Sequence, residues 1–165
     1  MFWKLQSSFP IVLLVSALAA GPAASQGHRG MMMGNHGDIM AIHELLGDHA
    51  KITRTVKTLD NGVETTTESV DAEVARKIVE HTYAMKARME NKQPIRMWDP
   101  LFAELFRNAE KIRFEITRTE HGVLVRETST DPAVVKLIQA HAEGVTEFVE
   151  KGFEVMHKEH PVPAK

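Results

Sequence analysis

The sequence predicts an α+β fold: a tandem duplication of one α-β-β-α unit, whose two hairpins join into one four-stranded antiparallel sheet with helices packed on it. Three observations predict it. First, residues 51 onward align with residues 111 onward at an offset of 60 and without gaps. Gly62 meets Gly122, Val63 meets Val123, Ser69 meets Ser129 and Asp71 meets Asp131, while Val74, Ile78, His81 and Glu90 meet Val134, Ile138, His141 and Glu150. Second, apolar residues alternate around each of those glycines, as half-buried strands require. After each aspartate they recur at helical spacing. Third, a lone two-stranded hairpin cannot bury its apolar face, so the two copies gain by joining.

The elements follow in order. Lys4 precedes an apolar run from Phe9 to Ala20, which ends in Gly21, Pro22, Ala23, Ala24 and Ser25. That run is too short for a membrane-spanning helix, which needs about 20 residues. A charged start, a short apolar core and a small-residue exit read as a secretory signal over residues 1–25, cut before Gln26. The expected product is periplasmic or secreted. The chain has no cysteine, so neither a lipid anchor on a cysteine nor a disulfide is available, and a hydrophobic core must hold the fold. The formal charge of −2 gives no footprint for nucleic acid.

Residues 26–37 read as a flexible leader rich in histidine and methionine. The first repeat, 38–97, opens with a helix carrying Ile39, Ile42, Leu45 and Leu46. Lys51–Leu59 and Val63–Ser69 then flank Asp60, Asn61 and Gly62, a turn in which the glycine is expected to supply positive φ. Asp71 caps a helix with the stripe Val74, Ile78, His81, Met85 and Met89. A link containing Pro94 leads to the second repeat, 98–159. There Asp99 and Pro100 start a helix bearing Leu101, Phe102, Leu105 and Phe106. Ile112, Phe114 and Ile116, then Val123 and Val125, form the second hairpin around Glu120, His121 and Gly122. Asp131 and Pro132 start a helix with Val134, Ile138, His141, Val145 and Phe148. Residues 160–165 read as a flexible tail.

Four groups could carry chemistry. His81 and His141 share one repeat position on the apolar stripe of their helices. They could present two imidazoles across a pseudo-two-fold axis to a haem iron or a transition metal. Met85 and Met89, at i+4 and i+8 from His81, would add thioether sulfur for a soft ion. The alternative is that the histidines pack the core and the methionines fill gaps.

The second group is the leader: His28, Met31, Met32, Met33, His36, Met40 and His43. Cleavage before Gln26 would give an amine, two amides and His28, a square-planar nitrogen set that suits copper(II) or nickel(II). The methionines would suit copper(I). His36, Met40 and His43 share one helix side. Third, Met156, His157 and His160 form a His-x-x-His tail that could ligate or could simply be solvated near the helix dipole. Fourth, Arg54, aligned with Phe114, is a polar residue facing inward. It could hold an anion such as a haem propionate, or lay its stem on the core with its head in water.

Enzyme signatures are missing. His43 and Glu44 begin a zinc-peptidase pattern, but Gly47 stands where the second histidine must fall. No Gly-x-Ser-x-Gly elbow appears. The sequence therefore points to a binding protein. A carrier, buffer or sensor of copper comes first, non-covalent haem binding second, and a cofactor-free module for another envelope protein or for itself third.

Overall fold

The computed structural model describes the backbone of residues 27–164 and the side chains of residues 37–164. The helices and strands are α1 (Gly27–Gly47), β1 (Thr53–Leu59), β2 (Gly62–Glu68), α2 (Ala72–Glu90), α3 (Pro100–Arg107), β3 (Arg113–Arg118), β4 (Gly122–Thr128) and α4 (Pro132–Lys151). Short 3-10 turns precede β1 and β3 and follow α4. The strands form one antiparallel sheet in the order β1-β2-β4-β3. This is the α+β duplication the sequence predicts.

The join between the repeats lies at β2 and β4. Thr65 faces Val125, its own counterpart in the other copy, while Gly62 faces Thr128 and Glu68 faces Gly122. Exchanging the repeats reproduces the register, so a pseudo-two-fold axis passes through the Thr65–Val125 pair. Hydrogen bonds repeat the symmetry: the Ser69 amide donates to the His121 carbonyl and the Ser129 amide to the Asn61 carbonyl, each at 2.9 Å. Asp71 and Asp131 cap α2 and α4 by accepting from backbone amides. Lys51 and Lys111 pair with those caps at 3.2 and 2.7 Å.

Alternation puts Arg54, Val63, Thr65, Phe114, Ile116, Val123, Val125 and Glu127 on the helix side of the sheet. The helices cross over. α2 packs chiefly against β4 and α4 against β2, so each repeat's second helix covers the other repeat's strand. Val74, Ile78, Val79, Val123 and Val125 form one apolar cluster. Val63, Leu101, Leu105, Val134, Leu137, Ile138 and Ala142 form the other. The pairs Val63/Val123, Val74/Val134 and Ile78/Ile138 are repeat equivalents, each residue at most 3% exposed.

The expected positive φ is present at Gly62, at 156°, but not at Gly122. Leu59 pairs with Gly62, which leaves Asp60 and Asn61 as the turn. A Cβ on Gly62 would stand 1.9 Å from the Glu127 carbonyl oxygen, and one on Gly122 would stand 2.1 Å from that of Thr67. Close approach of β2 and β4 demands glycine at both places. The helix α1 starts at Gly27, so residues 27–37 continue it instead of forming a flexible leader. The tail is not loose from residue 160 on: His160 is 7% exposed and is bonded to Asp99.

Candidate functional site

His81 and His141 each follow a buried isoleucine by three residues, which places both on the inner side of α2 and α4. The charge of His141 is felt at His81. The Nδ1 atoms of both are buried, and neither has a hydrogen-bond partner. Burial pushes the His81 imidazole down to about 4, Asp38 opposing that shift and His141 adding to it. At neutral pH His81 is therefore uncharged, with one ring nitrogen carrying a free lone pair. Asp38 is itself committed to Arg88, whose Nε donates to it at 2.6 Å.

His141 is 19% exposed, and the edge of its ring meets Phe102 at 5.1 Å between centroids. Its Nδ1 lies 3.7 Å from Oε2 of Glu127, whose side chain is 10% exposed. That spacing is beyond a hydrogen bond. Glu127 sits mid-sheet, opposite Val63 on one side and Phe114 on the other, so its strand neighbours offer no side-chain donor. Its charge faces Arg54. Glu127 was missed by the sequence reading, although the alternation of Val123 and Val125 continues to it.

Arg54 points inward as expected, and two of its five N–H donors are used by threonines. Nη1 donates to Thr67 Oγ1 at 2.6 Å, and Nε donates to Thr146 Oγ1 at 3.3 Å. Burial pushes its guanidinium down to about 10 while Glu127 pulls it up. It stays charged at neutral pH.

The other candidates disperse. Met89 packs against the cluster around Leu101 and Leu105, where it fills the core. Met85 is half-buried. On α1, Met40 is 48% exposed, and the His43 ring meets Phe153 edge-on at 5.9 Å. The side chains of His28, Met31, Met32, Met33 and His36 lie outside the described residues. Among the described residues, no group of three or more His, Asp or Glu side chains is arranged to hold an ion.

The tail histidines go separate ways. His157 is exposed beside Trp98, 6.3 Å between centroids. His160 docks through Nδ1 on Asp99 at 2.7 Å, and its ring lies under Gly144, where a Cβ would touch it at 3.4 Å. Asp99 is fully buried and also accepts from the amides of His160 and Leu101 at 3.2 Å. Burial works to raise its carboxyl, but hydrogen bonds from His160 and Arg96 outweigh that and hold it below the usual range. Arg96 ties the knot. It donates to Asp99, to the Met156 carbonyl and to the Lys158 carbonyl, and it lies 4.1 Å from the Trp98 ring centroid. Nothing local in the sequence marks this cluster, because Asp99 reads only as a helix cap.

No protein-family profile matches the chain, and no curated protein or solved structure is significantly similar to it. Among the described residues, no helix is long and apolar enough to cross a membrane.

Proposed function

We propose that the protein binds one transition-metal ion at the pseudo-two-fold axis through the imidazoles of His81 and His141, with copper the first candidate. It would serve as a carrier, buffer or sensor of that ion outside the cytoplasm. One observation carries this reading: two repeat-equivalent Nδ1 atoms are buried and without a hydrogen-bond partner, and the charge of one ring is felt at the other. A buried polar atom left unsatisfied costs about 1–3 kcal/mol. A metal ion would relieve that cost at both positions at once, and neutral imidazole suits copper, zinc, nickel and iron. His81, neutral far below pH 7, offers no proton that the ion must displace.

Haem would use the same two rings. A ligating histidine almost always donates its second ring N–H to an acceptor. If iron took Nε2, Nδ1 would be left without one, so the structure favours a bare ion. The test is elemental analysis of protein purified without chelators, followed by equilibrium dialysis against copper(II) and zinc(II). We expect about one ion per chain, and at least a tenfold weaker affinity in His81→Gln and in His141→Gln. Deleting residues 26–33 should leave that ion bound, since the leader is no part of this site. A Soret band lost in the two histidine variants would transfer the site to haem. A protein that neither retains metal nor melts higher in its presence would leave the histidines as packing residues of a partner-binding module.

A further inference from the structure

We infer that the pocket between the start of α3 and α4 is a binding site for an extended peptide anchored by a histidine. The chain's own residues 156–164 fill it as a built-in competitor. The inference goes beyond the metal reading and does not depend on it.

The burial pattern is the first argument. From residue 158 to residue 164 the tail has no helix or strand, and His160 is its one buried residue. Lys158, Glu159, Pro161 and Val162 around it are exposed. A single inserted side chain between exposed neighbours is the pattern of a peptide read by a groove.

The second argument is how the backbone is held. The His160 amide donates to Asp99 Oδ1, and the His160 carbonyl accepts from the Leu101 amide, each at 3.2 Å. Arg96 donates to the carbonyls of Met156 and Lys158, each at 2.7 Å. Such bonds hold any extended chain, because they ignore its side chains. Pro161 and Pro163 restrict the free tail and so lower the entropy lost on docking. Arg96 itself holds a φ of 58°, a conformation that residues other than glycine seldom adopt. Strain of that kind persists at ligand clamps.

The third argument is the pocket. Asp99 accepts from His160 Nδ1 at 2.7 Å, and the ring lies 5.9 Å from the Phe102 centroid and 5.6 Å from that of Phe148. Gly144 leaves room for it. The duplication does not impose these four residues, whose equivalents in the first repeat are Ile39, Ile42, Arg88 and Ala84. Asp99 also accepts from Arg96 and from the Leu101 amide, donors that do not belong to the tail. The pocket is thus formed before its ligand arrives. The fit in cis is incomplete: His160 Nε2 is buried without a hydrogen-bond partner, 3.5 Å from a Glu147 oxygen that Lys158 also engages. A peptide free of the tether to α4 can bring that nitrogen into a bond.

The test uses the full chain. His160→Ala frees the pocket, and a labelled peptide of residues 156–164 is titrated onto that variant. We expect saturable binding at roughly micromolar concentration, and at least tenfold weaker binding when the peptide carries His160→Ala or His160→Phe, since a site built to bond a donor rejects an analogue without it. The wild type should bind the peptide at least tenfold more weakly, because its own tail competes at an effective concentration on the order of millimolar. If the His160→Ala chain does not melt cooperatively, hydrogen exchange in the wild type decides. A releasable tail exchanges the His160 amide at least tenfold faster than the Val125 amide in β4. Equal rates would make the tail a fixed part of the core and overturn the inference. So would a folded His160→Ala chain that takes up no peptide, or that takes up the His160→Ala peptide equally well.

Discussion

At the scale of single residues, His81 makes an acid-stability prediction whose sign follows from its environment. Burial lowers its imidazole from 6.5 to about 4. As pH falls below 6.5 the unfolded chain takes up a proton that the folded chain refuses until about pH 4. The stabilisation is complete above 6.5, is lost across that interval, and falls no further below it. At 1.36 kcal/mol per pKa unit the loss is at most about 3 kcal/mol. Asp99 acts in a separate window. Held below its usual 3.8, it stabilises above that value and loses its contribution as pH falls further. Urea midpoints should therefore decline from pH 6.5 to 4 in the wild type and stay nearly flat there in His81→Leu, with both proteins declining below pH 4. A wild-type midpoint constant from pH 7 to 4 would show that His81 titrates normally. Residues of this kind were unevenly legible. His81 and His141 stood out because the duplication marked them, and Glu127 was within reach of the period-two pattern. His160 was not, because its burial depends on a carboxylate 61 positions away and no local periodicity encodes such a contact.

At the scale of elements, the hairpins, the capped helices and their order were readable because each has a short-range cause. Aspartate accepts from the first free amides, proline fits the first helical turn, and apolar spacing sets the buried face. The positive φ expected of the turn glycine holds at Gly62. What escaped was that both Gly62 and Gly122 also lie against the neighbouring backbone, which only the sheet reveals. The start of α1 escaped for the opposite reason, since Gly27, Gly30, Gly34 and Gly37 argue locally against helix. The glycine account predicts that Gly62→Ala and Gly122→Ala each destabilise by about 2–3 kcal/mol or more, the cost of overpacking a site whose neighbour is unyielding backbone. Gly62 also holds a φ of 156°, which an alanine rarely adopts, so its loss should be the larger of the two. Denaturant melts of the two variants would check this. A loss below about 0.5 kcal/mol in either would mean that the strands shift apart easily at that point.

At the scale of the whole molecule, the crossed helices decide what can fold alone. α2 covers β4 and α4 covers β2, so a single repeat would expose the face its missing partner covers. The register of β2 against β4 is its own mirror under exchange of repeats. One repeat can therefore complete itself with a second copy of the same repeat. The second is better suited to do so. Its hairpin presents Phe114, Ile116, Val123 and Val125 inward, where the first presents Arg54, Val56, Val63 and Thr65. Residues 96–165 also keep Arg96, Asp99 and His160 together, so the tail remains docked. We expect residues 96–165 to form a folded homodimer whose melting temperature rises with concentration, as coupled folding and association require. Residues 38–97 alone should be largely unfolded by circular dichroism. Sedimentation equilibrium distinguishes the outcomes. A folded monomer of residues 96–165 would show that the exchange of helices is a consequence of the fold and not a condition for it. A dimer would carry two copies of His141 at equivalent positions, so its metal uptake would test the two-histidine site with His81 removed from the molecule altogether.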